Sequence, residues 1–141
     1  LALPLIKSDI VLVMNGDSLC NLDFSAMHSF HINTDADITM VLSKTDDSRR
    51  YGLVTCDSAD RITGFNEKHH KAKAGWINAG IYFMKRTMIE SIPETVPVSL
   101  ERDMLPVWLG NAIYGFKSSG DFIDIGTPDS YAAANHFNAP I

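Results

Sequence analysis

The sequence is short of several things, and each shortage excludes something. Only two cysteines, Cys20 and Cys56, occur in 141 residues. They form no C-x-x-C pair and stand near no histidine at metal-ligand spacing. That argues against a disulfide scaffold or a thiolate metal knuckle, and it reads as reduced thiols in a cytoplasmic protein. No apolar run reaches the roughly 18 residues that a membrane-spanning helix needs. Residues 1–6 carry no charged leader region and no cleavage-type site, so they make a poor signal peptide. The first residue is Leu1 and not Met, so the start reads as cut from something longer or as processed. Lys and Arg never run beyond two in a row, and the formal net charge is -5. Neither a nucleic-acid duplex nor a membrane surface is expected as a partner. No G-x-S-x-G and no Ser–His–Asp arrangement can be read. Internal repeats, low-complexity tracts and domain linkers are also missing.

What is there looks like one globular domain over residues 1–141, with 45% hydrophobic and 21% charged residues. Residues 9–14 are a continuous apolar, β-branched run ending in Asn15-Gly16-Asp17, which predicts a central strand buried on both faces. Asp23 predicts a cap for a helix over 24–30, with Phe24, Met27, His28 and His31 at helical spacing. Residues 37–43 predict a second buried strand. Asp57-Ser58-Ala59-Asp60 is turn chemistry between residues 51–56 and 61–67, which predicts a hairpin. Residues 69–75 are polar, and 76–84 predict a third apolar strand. A short helix follows over 86–92, closed by Pro93. Ser99 caps a helical pattern over 100–109 that Pro106 should kink or shorten. Short strands are expected at 112–116 and 122–125. Thr127-Pro128 then opens a last helix. Strands alternating with helices indicate an α/β sheet.

Two carboxylates stand out. Asp17 follows the end of a buried strand, where open α/β sheets bind ligands, and Gly16 lets the backbone turn there. A carboxylate in that place suits Mg²⁺, a hard cation; it also suits a plain turn. Asp124 lies inside the apolar run Phe122-Ile123-Asp124-Ile125. It needs either a cation or hydrogen-bond donors from loop amides. Glu67-Lys68 can contact sugar hydroxyls and phosphate, or be a solvated surface pair. Asn78-Ala79-Gly80 puts a polar residue and a glycine into a strand, as a close approach to a ligand or as a bulge. Adjacent His69 and His70 point apart and read as surface residues. His28, His31 and His136 read as helix-surface or core-margin residues.

The order of the motifs is more telling than any one of them. Val13-Met14-Asn15-Gly16-Asp17-Ser18 is followed by Tyr51-Gly52-Leu53-Val54 and Gly64-Phe65-Asn66-Glu67-Lys68. Then come Asn78-Ala79-Gly80-Ile81-Tyr82, Ser99-Leu100-Glu101-Arg102-Asp103 and Asp124-Ile125-Gly126-Thr127-Pro128. This series resembles the sugar-1-phosphate nucleotidylyltransferases over residues 9–137, and within them the mannose-1-phosphate and heptose-1-phosphate guanylyltransferases. The resemblance implies a Rossmann-like, mixed, mostly parallel sheet flanked by helices, of the nucleotide-diphospho-sugar transferase kind. It implies that Asp17 and Asp124 hold a catalytic Mg²⁺ and that Lys68 acts with them. It also implies a sugar-phosphate site lined by Gly16, Tyr51, Gly52, Glu67, Lys68, Asn78, Ala79 and Gly80. The partners so implied are a sugar 1-phosphate and an NTP.

Two departures from the family pattern shape the expectation. His69 stands where the family usually has Pro after Glu-Lys. The Gly-rich G-G-x-G-T-R-L loop that grips NTP phosphates in such enzymes does not occur in these 141 residues. The reading is therefore an N-terminally truncated domain that retains the sugar-phosphate and metal-binding part and has little turnover alone. The alternative is a non-catalytic remnant or interaction module. A missing inner strand would leave residues 9–14 with a bare apolar edge, which favours a homo-oligomer. A strictly monomeric species by light scattering at tens of micromolar would count against it.

Overall fold

A computed structural model describes residues 3–66, 72–94 and 97–137. Eight strands are present among the described residues: β1 (Ile10–Met14), β2 (Ser18–Cys20), β3 (Ile38–Thr45), β4 (Leu53–Cys56), β5 (Ile62–Asn66), β6 (Gly75–Lys85), β7 (Ile113–Ser118) and β8 (Phe122–Asp124). The main sheet runs β5-β4-β6-β3-β7, with β1 on the far half of the β6 edge that also carries β4. β2 and β8 form a separate antiparallel ribbon.

The sheet is mixed, as expected, but it is not mostly parallel. Among the described residues β3 and β7 run parallel, and the other strand pairs are antiparallel. An apolar run predicts a strand, whereas its direction is set by the connection that delivers it. The hairpin between β4 and β5 reverses the chain through residues 57–60. There Asp57 accepts from the amides of Ala59 and Arg61, and Asp60 takes a left-handed φ of 62°.

Helices cover both faces. α1 (Phe24–Asn33) starts where Asp23 accepts from the Ala26 amide at 2.8 Å. α2 (Arg86–Glu90) follows β6 directly. The predicted helix over 100–109 is split into a π-turn (Leu100–Met104), one turn of α3 (Leu105–Val107) and a 3₁₀ turn (Trp108–Gly110). Pro106 brings no N–H to this segment, so a regular helical ladder cannot pass through it. α4 (Pro128–Ala133) has Thr127 in a capping box with Ser130.

Alternation along β3 divides the core. Ile38, Met40 and Leu42 pack with Tyr82, Met84, Leu105 and Trp108 on one face. Val41 packs with Met27, Ala79 and Ile81 on the other. β1 departs from its expected buried place. Its one partner among the described residues is β6, and Leu12 and Met14 are 41% and 47% exposed. A strand is buried only when both of its edges and both of its faces find partners. The bare apolar edge expected beside residues 9–14 is therefore present among the described residues.

His31 departs as well. It is fully buried, not at a surface or margin, with Nδ1 2.8 Å from Thr39 Oγ1 and Nε2 unpartnered among the described residues. Burial pushes its pKa below the usual histidine value, helped by the nearby Lys85 and His28 charges and opposed by Asp37 and Asp35. The unfolded chain then binds a proton that the folded chain refuses. Stability should be complete above the unfolded pKa of about 6.5 and fall on acidification below it. Thermal melts from pH 7.5 to 5 should show this fall, and His31→Leu should flatten it. An equal slope in wild type and variant would assign the effect to other groups.

Candidate functional site

The turn after β1 and the β2–β8 ribbon do one job together. Ser18 pairs with Asp124 across the ribbon, and the Ile125 amide donates to the Asp17 carbonyl at 2.8 Å. This draws an early and a late aspartate side by side. A Cβ built on Gly126 would lie 2.9 Å from Asp124 Oδ1 and 3.4 Å from Asp17 Oδ2. Both carboxylates thus border one small space, which a side chain at 126 would invade. The Gly126 amide donates to Asp124 Oδ1 at 2.8 Å and fixes that carboxylate.

The two aspartates open onto a cleft of about 210 Å³ lined by Tyr51, Gly52, Asn78, Glu101, Arg50 and Phe122, among others. Tyr51 packs edge-on against Phe122, with ring centroids 6.1 Å apart. Burial raises the Tyr51 pKa, helped by the Asp124 charge, so its phenol stays protonated at neutral pH. At Gly52 a Cβ would meet the Asn66 carbonyl oxygen at 2.8 Å, which reserves this wall of the cleft for bare backbone.

In the wall of the cleft Glu101 is a hub. Its Oε1 accepts from Tyr82 Oη at 3.2 Å, Asn78 Nδ2 at 3.4 Å and Asn15 Nδ2 at 3.5 Å. Asn78 Nδ2 also donates to Tyr82 Oη at 2.6 Å, and Asn78 Oδ1 accepts from the Gly80 amide at 2.9 Å. Every amide atom of Asn78 is therefore oriented. Burial drives the Tyr82 pKa far up, and the adjacent Glu101 charge adds to it, so the phenol remains a donor. Gly80 has φ 72° and closes a bulge in β6, where the register with β3 jumps from Met40–Tyr82 to Leu42–Asn78. A Cβ there would fall 2.3 Å from Asn15 Nδ2.

Of the expected site residues, Asp17, Tyr51, Gly52, Asn78 and Asp124 come together in the cleft. Gly16 is exposed, with open space around it. Gly80 contributes its backbone, through the bonds to Asn78 and Asn15. Ala79 is buried in the core beside Met27 and Val41, so its side chain does not reach the cleft. Strand alternation carried that signal, because Asn78 and its direct neighbour point to opposite faces. Glu67 and Lys68, with His69 and His70, lie outside the described residues.

Several cleft residues were missed from the sequence: Arg50, Asn15, Glu101, Ser18 and Phe122. Arg50 ends the charged stretch 46–50, whose composition singles out no one residue. Glu101 sits in a quoted motif, but nothing local shows that it reaches Asn15, 86 positions away.

The donors at the cleft include oxygen ligands of the kind that hard cations take. Among the described residues Asp17, Asp124 and Glu101 face the cleft against one cation, Arg50. Also among the described residues, no three His, Cys, Asp or Glu side chains gather at one point as a closed metal cage. A pair of carboxylates suits Mg²⁺, which keeps waters and substrate phosphates as its other ligands.

Comparison with known proteins agrees with this architecture. The family model described as "Nucleotidyl transferase" matches residues 2–140. The chain is 35% identical over 129 residues to a mannose-1-phosphate guanylyltransferase of Mycobacterium tuberculosis, covering 89% of this chain and 36% of that protein. It is 37% identical over 126 residues to a D-glycero-alpha-D-manno-heptose 1-phosphate guanylyltransferase of Aneurinibacillus thermoaerophilus, covering 88% of this chain and 54% of that one. The crystal structure of HddC from Yersinia pseudotuberculosis superposes with a TM-score of 0.83 at 31% identity, over 97% of this chain and 59% of HddC. HddC has also been solved complexed with GMP-PN, and that structure superposes with a TM-score of 0.82. The chain thus spans between about a third and three fifths of these relatives. With a family model that matches residues 2–140 and a fold shared with HddC, the chain belongs to the nucleotidyl transferase family.

Proposed function

We propose that this chain is the sugar-phosphate and metal-binding part of an enzyme that transfers a nucleotidyl group from an NTP to a sugar 1-phosphate, releasing pyrophosphate. The observation that carries the reading is the convergence of Asp17 and Asp124 on one space at the mouth of a cleft walled by Tyr51, Gly52 and Asn78. The guanylyltransferase names of the relatives favour GTP with mannose or heptose 1-phosphate as the first substrates to test.

In this reaction a phosphate oxygen of the sugar phosphate bonds to the α-phosphorus of the NTP, and the bond to the pyrophosphate oxygen breaks in line. No proton has to move, so positioning and charge neutralisation supply the catalysis. A divalent ion such as Mg²⁺, held by Asp17 and Asp124, would supply positive charge to the phosphates. Asn78 presents an amide already oriented by Glu101, Tyr82 and Gly80, which suits a sugar hydroxyl. Gly52 keeps that wall open to a ring, and Tyr51 closes the side. Lys68 and Glu67 are proposed to complete the sugar-phosphate site.

Titration calorimetry with mannose 1-phosphate tests the reading. Binding should require Mg²⁺, and pyrophosphate release from GTP by this chain alone should be slight. Binding that is absent, or indifferent to Mg²⁺, would refute the site. The bare edge of β1, with Leu12 and Met14 exposed, supports the expected association of two copies. Two free cysteines support a reducing, cytoplasmic setting. Among the described residues no helix is long and apolar enough to cross a membrane.

A further inference from the structure

Arg50 holds an unusual place beside the two aspartates. It is the one cation among the described residues that line the cleft, where it faces Asp17, Asp124 and Glu101. Its Nη2 lies 3.8 Å from Asp124 Oδ2, which is an ion pair without a hydrogen bond. The guanidinium carbon stands 5.9 Å from the centre of the Tyr51 ring. Among the described residues no hydrogen bond engages the guanidinium, and the side chain is 54% exposed. The fork of N–H donors is therefore poised over an aromatic ring and loosely tied to one of the two aspartates.

Charge decides what this means. The Gly126 amide occupies Asp124 Oδ1, so Oδ2 is the oxygen that the guanidinium shares. A divalent cation between Asp17 and Asp124, in the space that Asp124 Oδ1 and Asp17 Oδ2 border, would draw on the charge of the same carboxylate. Once it is bound, the attraction of Asp124 for Arg50 is largely offset, and two cations then face each other across the cleft. The way to relieve that repulsion is an anion between them. A guanidinium fork matches the oxygens of a phosphate group, bidentate, better than any other side chain does.

We propose that Arg50 is a phosphate ligand held in reserve: it neutralises Asp124 while the metal is absent and turns onto a phosphate group when a divalent cation takes that carboxylate. The exchange makes metal and phosphate binding mutually reinforcing, as linkage requires of any shared partner. It deepens the metal-and-phosphate reading above and rests on it. No bond to carbon or phosphorus changes in the exchange.

The test uses Mn²⁺ as the metal and inorganic phosphate as the anion, with Mn²⁺ binding read by electron paramagnetic resonance. In wild type, low-millimolar phosphate should tighten Mn²⁺ binding about tenfold, within the usual range of coupling between sites. Arg50→Ala should bind Mn²⁺ alone about threefold more tightly than wild type, the scale of an exposed ion pair removed. In that variant the gain from phosphate should shrink to less than about twofold. Arg50→Lys keeps the charge without the fork, so Mn²⁺ affinity should stay near wild type and the phosphate gain should be intermediate. An Arg50→Ala protein with unchanged Mn²⁺ affinity, or one that keeps the full phosphate gain, overturns the exchange. So does a wild type without any phosphate gain. If wild type binds Mn²⁺ and Asp124→Asn does not, such results sink the exchange alone and leave the metal site standing. If wild type binds no Mn²⁺, the metal reading and the exchange fall together. Circular dichroism guards against a folding artefact, which is not expected at so exposed a side chain.

Discussion

Asp17→Asn and Asp124→Asn are each expected to weaken Mn²⁺ or Mg²⁺ binding by at least about tenfold. Removing a mere partner of a metal ligand costs about 10–100-fold in affinity, and these residues are proposed as the ligands themselves. Asparagine keeps the size of aspartate, so the ribbon of β2 and β8 has no steric reason to change. The apo proteins supply a second readout of opposite sign. Two carboxylates that border one space repel each other, and the Gly126 geometry places both within 3.4 Å of a common point. Relieving that repulsion should leave the melting temperature of metal-free Asp17→Asn equal to or above that of wild type, whereas Asp124→Asn also gives up the charged partner of Arg50 and of the Gly126 amide. The rise in melting temperature that excess Mg²⁺ gives wild type should vanish in both, because binding to the folded state is what stabilises it. Variants that melt lower without metal but keep the Mg²⁺ response would show that the carboxylates serve structure and not a cation.

Gly120→Ala should be the more damaging substitution, although it touches neither aspartate. An added Cβ would lie 1.9 Å from the Asn21 carbonyl oxygen, which is backbone and cannot swing away. Gly120 sits between β7 and β8 and donates its amide to Ser118 Oγ at 3.1 Å. Asn21 follows β2, and its amide donates to the Asp121 carbonyl at 2.9 Å. The methyl group therefore forces apart the segments whose pairing sets Ser18 opposite Asp124. Overpacking of this kind costs about 1–3 kcal/mol, occasionally more. Chemical denaturation should show that loss, and metal affinity should fall with it although both carboxylates remain. Gly120→Ala with wild-type stability and wild-type Mn²⁺ affinity would mean that the ribbon does not hold the aspartates together.

Much of the local structure was legible. Asp23, Ser99 and Thr127 cap helices as their types and positions predicted, because a cap is a contact within about one turn of chain. The hairpin turn at 57–60 was readable for the same reason. Strand direction was not, since an apolar run reads alike in a parallel and an antiparallel sheet. The burial of β1 was overread, because pattern shows which surfaces could be covered and not what covers them. At the site, the two aspartates could be named but not joined: Ser18 and Asp124 meet only through the ribbon. Asn78 and Gly80 left a choice between a bulge and a ligand approach. The structure shows the bulge, and through it Asn78 is aimed at the cleft. Glu101 and Tyr82 stayed hidden because a hub made of long-range contacts leaves no local pattern.

The claim beneath all of this is that residues 17 and 124 seat one divalent cation at the head of the cleft. Paramagnetic broadening by substoichiometric Mn²⁺ tests it directly in an assigned amide spectrum. The amides of Asp17, Ser18, Asp124 and Gly126 should broaden first, and Asp124→Asn should abolish the effect. Broadening centred elsewhere, as around Asp35 and Asp37 beside Lys85, or none at all as Mn²⁺ rises, would contradict the account.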